Sequence, residues 1–448
     1  MKKICLLLGM SMCLLFLGVG QAAAAVNPSI QINGEERQFD PSCQIVNNRT
    51  MVPLRFIMED PAFQGKVSWN GKLQRVTVDF TNKIFTFAIG DTKVLVDGNV
   101  SYLDAAPYIY QDRTFIPIRF FAEQMGARVS WNATLKEVKV EFDPEIQVFA
   151  YYYYHGFDEL KENADLMTDV AFRWFKTSSK GELSYEYKDQ YQEILNFTRA
   201  KGIKTHASVV LMGQDALHSL LSNPANRFRL VENIDKELRT NGYDGINIDF
   251  EFLYPDDAGN LTLFLKELKN KIGEDKILSI AVFARTADDH WETGFDYKTI
   301  GEIADKVVVM AYDYHYATNP PGPVAPLWWV EEVIDYTTSI MPREKILLGM
   351  PTYGYDWAKG EDGKTVTASK LDAVISQYGA TERFDWESMS PSYHYTDDRG
   401  IKHEIWMENE KSLTEKWKAA DENSLAGISF WRIGTGFDDL YDVIENNL

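Results

Sequence analysis

The chain has 448 residues, 45% of them hydrophobic and 13% aromatic, which is enough apolar material for more than one packed core. Its formal net charge of −20 argues against nucleic acid as a partner and against simple charge attraction to anionic polymers, leaving only a local groove open to them.

Residues 1–25 begin with Lys2 and Lys3, continue through an apolar stretch from Ile4 to Val19 and end in Gln21 to Ala25, small enough for signal-peptidase cleavage. They predict an export signal and an extracellular or cell-wall location, with no membrane attachment after cleavage. A retained anchor fits less well, because the apolar stretch is short for a spanning helix. Without those residues the net charge is −22, since they hold two lysines and no acids. Cys5 and Cys13 leave with them, so Cys43 stays alone, cannot form an internal disulfide and is expected to be buried as a small apolar side chain.

From Asn48 to Phe80 the sequence reads NRTMVPLRFIME, then VSWNGKLQRVTVDF; from Asp112 to Phe142 it reads DRTFIPIRFFAE, then VSWNATLKEVKVEF. This is a duplicated unit, about 28–80 and 92–143, each copy predicted to hold a strand, a hairpin, a short helix and a final strand. The helices are placed near Arg55–Met58 and Arg119–Met125, after Pro53 and Pro117, and Trp69 and Trp131 are expected to close the core, with stacking on carbohydrate as the less favoured alternative. The pair, over 28–143, resembles the N-terminal stalk domain of copper amine oxidases. No copper chemistry is implied, because no histidine precedes His155. The stalk is read as a spacer or a wall-attachment module.

From Ile146 onward short apolar runs alternate with charged helical segments, the pattern of parallel βαβ units. Eight strands are predicted: Ile146–Tyr153, Asp169–Phe175, Lys204–Val210, Gly245–Phe250, Lys276–Phe283, Lys306–Met310, Lys345–Met350 and Ala426–Trp431. The fold class is α/β, a (β/α)8 TIM barrel over 146–448 behind a small α+β stalk. A doubly wound open sheet is disfavoured by the lack of a glycine-rich loop after the first strand. Between the last two strands residues 355–410 insert extra material carrying Trp357, Trp386, Tyr393, Tyr395 and Trp406, either as a wall of the groove or as a self-packed excursion.

Side chains alternate along a strand, so in DGINIDFE the residues Asn247, Asp249 and Glu251 share one face and Ile246, Ile248 and Phe250 the other. In a closed parallel barrel the apolar face meets the helices and the polar face points into the lumen. Glu251 then lies at the C-terminal end, where barrel enzymes keep their sites. Tyr151 on the first strand, Met310, Tyr312 and Asp313 in MAYDYHY, Tyr353 in GMPTYGYDW and Trp431 in GISFWRIG are expected at the same rim, with His315 as a further candidate.

DGINIDFE resembles the DGxDxDxE motif of glycoside hydrolase family 18, MAYD its sixth-strand motif, and Trp431 its eighth-strand floor, over roughly Ile146 to Leu448. The resemblance implies that Glu251 protonates the glycosidic oxygen, that Asp249 raises its pKa and orients a 2-acetamido group, and that Tyr312 hydrogen-bonds the acetamido oxygen. It implies a supporting role for Asp313 and stacking by Trp431. The substrate's own amide then attacks the anomeric carbon, with retention. Asn247 departs from the motif, where the family has an aspartate. NIDFE followed by FLYPDD, and MAYDYHY followed by GPVAP, are most similar to the cortex-lytic and spore-germination type, which acts on peptidoglycan. Chitin hydrolysis and a non-catalytic sugar-binding barrel are the alternatives. No metal or cofactor is implied: the histidines lack a ligand spacing, and Asp256-Asp257 is expected to be a solvated loop.

Overall fold

The computed structural model describes residues 27–80, 83–142, 146–186 and 191–448. The expected leader, with Cys5 and Cys13, lies outside them. The chain divides into two compact units, Met1–Asp143 and Pro144–Leu448, each with its own core.

In the first unit the duplication is visible as local symmetry. Strands Arg49–Pro53 and Arg113–Pro117 pair antiparallel at the centre, with Val52 opposite Ile116. These are equivalent residues of the two copies, so the pairing lies on a pseudo-two-fold axis. The helices run Leu54–Met58 and Ile118–Gln124, each starting directly after its proline, one residue earlier than the sequence reading placed them. Cys43 is buried, as expected of a lone thiol used for packing. Trp69 and Trp131 depart from expectation. They are 45% and 41% exposed, each lying across from a buried valine, Val76 or Val138, that it half covers.

The second unit is a closed ring of eight parallel strands: β1 Gln147–Tyr152, β2 Asp169–Thr177, β3 Lys204–Met212, β4 Gly245–Glu251, β5 Ile277–Phe283, β6 Lys306–Met310, β7 Ile346–Pro351 and β8 Gly427–Ile433. Closure comes from β1, which pairs with both β2 and β8. On β4 the outward residues Ile246, Ile248 and Phe250 are fully buried, Phe250 stacking on Phe264 of helix Ala258–Ile272. Burial of each such side chain is worth about 1.5–3 kcal/mol.

The inward faces build the lumen in tiers. At its closed end Asp169 of β2 accepts hydrogen bonds from Lys306 of β6 (2.6 Å) and from Thr168 (2.7 Å), and pairs with His206 of β3 (2.8 Å). Burial alone would raise the Asp169 carboxyl, but His206 and Lys306 together hold it far below the ordinary range. Above it, Asn247 is fully buried between Ser208 (3.0 Å) and Ser279 (3.1 Å), which lie beside it in register on β3 and β5.

The excursion after β7 forms a five-stranded antiparallel sheet with helix Ala368–Tyr378 packed beside it. No residue of 355–410 lines the cavity at the barrel mouth. Trp357 and Tyr393 are buried within it, Trp386 is 69% exposed, and Tyr355 reaches the barrel mouth. Asp257 corrects the expectation of a solvated loop: it is fully buried and accepts bonds from His218 (3.0 Å) and Asn260 (2.8 Å).

Candidate active site at the barrel mouth

Strand β4 delivers its last inward carboxyls to the open end of the lumen. Immediately afterwards the backbone reverses at Phe252, whose φ of 64° is unusual for a bulky residue. The Phe252 ring is 55% exposed and leans on Phe283 of β5, 5.4 Å between centroids. A similar reversal follows β6 at Asp313, φ 63°, a conformation that aspartate tolerates better. These turns set Glu251 and Asp313 on the wall of a cavity of about 240 Å³, which Tyr151, Asp249, Met310, Tyr312, Tyr353 and Trp431 also line.

Most of the residues singled out in the sequence therefore meet at one place. Asn247 lies one tier below the cavity, its amide oxygen accepting from Ser208 and its amide nitrogen donating to Ser279. His315 also stands outside the cavity wall; its Nδ1 lies 2.9 Å from the carbonyl of Pro320.

The electrostatics divide the two β4 carboxyls. Burial, reinforced by the charges of Asp249 and Asp313 and opposed by Arg173, pushes Glu251 up to about 8. Burial raises Asp249 too, to about 6, against the pull of Arg173. They titrate as a coupled pair, so the protons belong to the two carboxyls together. Asp313 is also raised by burial, although Tyr353 (2.8 Å) and Tyr355 (3.0 Å) both donate to its Oδ1. Tyr151 and Tyr312 are held well above the ordinary phenol range, first by burial and, for Tyr151, next by the charge of Asp249. Both stay protonated donors, and the Tyr151 hydroxyl makes no well-formed hydrogen bond among the described residues.

Arg173 of β2 was not singled out in the sequence. Its Nε lies 3.7 Å from Asp249 Oδ2, and its guanidinium stacks over Tyr153 (4.9 Å) and Trp431 (5.6 Å). The signal was present in DVAFRWF: alternation sends Val170, Phe172 and Trp174 outward and Asp169, Ala171 and Arg173 inward, making Arg173 a lumen cation. Met212, Ala281 and Phe283 also line the cavity and were missed, being apolar ends of strands with no chemical mark.

Comparison with protein families matches residues 147–436 to the glycosyl hydrolases family 18, well over half of the chain. The chain belongs to that family. Ahead of the family 18 barrel, residues 31–140 match the copper amine oxidase N-terminal domain. The chain is 36% identical to YdhD of Bacillus subtilis (strain 168) over 229 residues, covering 50% of this chain and 54% of that relative. It is 33% identical over 227 residues to the cortical fragment-lytic enzyme of the same organism, covering 49% and 53%. The chain thus spans about half the length of these two relatives. Among solved structures, a chitinase from Chromobacterium violaceum superposes with a TM-score of 0.63 at 27% identity, over 67% of this chain and 98% of that one.

Proposed function

We propose that the barrel is a retaining glycosidase that hydrolyses β-1,4 bonds of peptidoglycan glycan strands at N-acetylglucosamine units, acting outside the cell or in the wall. The observation that carries this reading is the pair of carboxyls, Asp249 and Glu251, that β4 sets side by side at the open end of the lumen, where burial and the charge of Asp249 raise Glu251 toward a proton donor. Glu251 gives its proton to the glycosidic oxygen as the C1–O bond breaks. The amide oxygen of the same sugar attacks C1, the substrate-assisted route of this family. Asp249 accepts the amide N–H and steadies its developing positive charge, Tyr312 hydrogen-bonds the amide oxygen, and Trp431 lies under the ring. Glu251, now a carboxylate, then takes a proton from the water that opens the cyclic intermediate, and two inversions give retention.

The similarity to a cortical fragment-lytic enzyme favours peptidoglycan, and the structural likeness to a chitinase favours chitin as the second reading. Purified wall or cortex and chitin oligomers, offered in parallel, separate them: reducing ends are expected from the wall material at the higher rate. Faster release from chitin would replace peptidoglycan by chitin, and binding without release from either would leave a sugar-binding barrel. The first product anomer, followed by proton NMR, is expected to be β.

The pH profile provides a separate check. Activity needs a protonated Glu251, so it falls as pH rises through the raised value near 8. Asp249→Asn removes a charge that lifts Glu251, so the alkaline limb moves to lower pH. Arg173→Met removes a cation that opposes the lift, so the limb moves to higher pH. Profiles of kcat/KM for residual activity test both signs; parallel shifts in the two variants would refute the assignment of the acid.

A further inference from the structure

The first unit holds two open cavities of about 530 and 450 Å³. One is lined by Arg49 and Thr50 of the first copy with Arg119 and Trp131 of the second. The other is lined by Arg113 and Thr114 of the second copy with Arg55 and Trp69 of the first. The two linings correspond, Arg-Thr from one copy facing Arg and Trp from the other, and each also carries one carboxylate, Asp104 in the first and Asp112 in the second. The two-fold pairing of Val52 with Ile116 accounts for this, because an isologous contact makes every surface it builds twice.

We propose that these are twin glycan-binding sites for a polysaccharide strand whose sugars carry carboxylates. Each site offers the two elements that such a strand needs. The indole is exposed on a sheet and available to stack on a sugar ring, beside the buried Val76 or Val138 of the neighbouring strand. The arginines present planar donors to a carboxylate. Arg113 makes no ion pair among the described residues, whereas Arg49 is held by Asp104 at 2.5 Å, and Arg55 and Arg119 sit over Glu59 and Glu123 one turn away. Charge distribution supports the choice of an anionic strand. Residues 27–142 hold thirteen basic and thirteen acidic side chains, so this unit is neutral, and the net negative charge of the chain falls on the residues after it. An anionic polymer repelled by the remainder meets no net repulsion here.

This inference rests on the wall-glycan reading of the barrel only for the choice of strand. The duplication itself argues for a polymer, because two equal weak sites on one rigid unit gain from a repeating ligand far more than from a single sugar.

The test uses the full chain and glycan strands stripped of peptide and teichoic acid and coupled to beads, with sedimentation of the beads as the readout of binding. A soluble N-acetylglucosamine oligomer serves as a separate readout of hydrolysis. Trp69→Ala with Trp131→Ala is expected to weaken sedimentation at least ten-fold and leave oligomer hydrolysis unchanged. Each single variant is expected to fall between. Arg49→Gln with Arg113→Gln, exposed changes that spare the core, is expected to give a comparable loss, as are strands whose carboxylates have been reduced to alcohols. Undiminished binding by both double variants would overturn the proposal, and equal binding to reduced strands would overturn its anionic specificity. Loss of oligomer hydrolysis in the parent chain would instead refute the glycosidase reading and leave the sedimentation result standing.

Discussion

Glu251→Gln is expected to lower kcat/KM on N-acetylglucosamine polymers by about 10²- to 10⁴-fold, the usual worth of a positioned general acid. Glutamine matches glutamate in size and can still donate a hydrogen bond to the glycosidic oxygen, yet it cannot release a proton as the bond breaks. Substrate affinity is therefore expected to survive while turnover does not. The same substitution is expected to raise stability at neutral and mildly alkaline pH. Folded Glu251 holds its proton up to about 8, whereas an unfolded glutamate releases it near 4.5. Between those values the folded chain is the stronger proton binder, so stability declines as pH rises through that window. Glutamine has no such titration. A variant that loses activity and gains thermal stability at pH 7.5 fits an acid kept protonated by burial. Full activity on glycan polymers would remove Glu251 from the mechanism.

Asp169→Asn is expected to destabilise the barrel by about 3–5 kcal/mol, the range seen when one partner of a buried ion pair is removed. The change leaves Lys306, 9% exposed at its side chain, without its anion, and asks an amide to satisfy a hydroxyl, an ammonium and an imidazole at once. The sign of the pH dependence is also fixed. A depressed carboxyl stabilises the fold above the unfolded carboxylate range and loses that contribution as pH falls below that range toward its own depressed value. The parent should therefore weaken steeply in acid, and Asp169→Asn should show a shallower slope from a lower starting point. Urea unfolding of the barrel transition at several pH values measures both; an unchanged midpoint at pH 7 would show that the pair contributes little.

The barrel was legible because its two faces obey different chemistry. Ile246, Ile248 and Phe250 had to meet helices, and that left Asn247, Asp249 and Glu251 only the lumen. The same alternation on β2 contained Arg173, but a single cation among seven residues carries no mark of its partner. What links it to Asp249 is a sheet pairing two strands away. Depth was less legible than direction. Asn247 shares a face with Glu251 yet lies a tier lower, and strand rise places it level with Ser208 and Ser279, so it serves the lumen's packing. Trp69 and Trp131 were misjudged for a related reason. A half-covered indole and a buried one have the same strand pattern, and only the cross-strand valine beneath each shows which surface is left open. Asp257 was misjudged because its partner, His218, lies 39 residues away in sequence.

Tyr353 and Tyr355 donate to the same oxygen of Asp313, one from the end of β7 and the other from the first strand of the sheet inserted after it. The inserted sheet is thereby wired into the mouth of the barrel and is more than a bystander on its edge. Trimming residues 354–406 to a short loop, as one would to miniaturise the barrel, would delete one of the two anchors holding that aspartate and free its second lone pair. A compact version of this barrel therefore needs a replacement phenol, not merely a shorter connection.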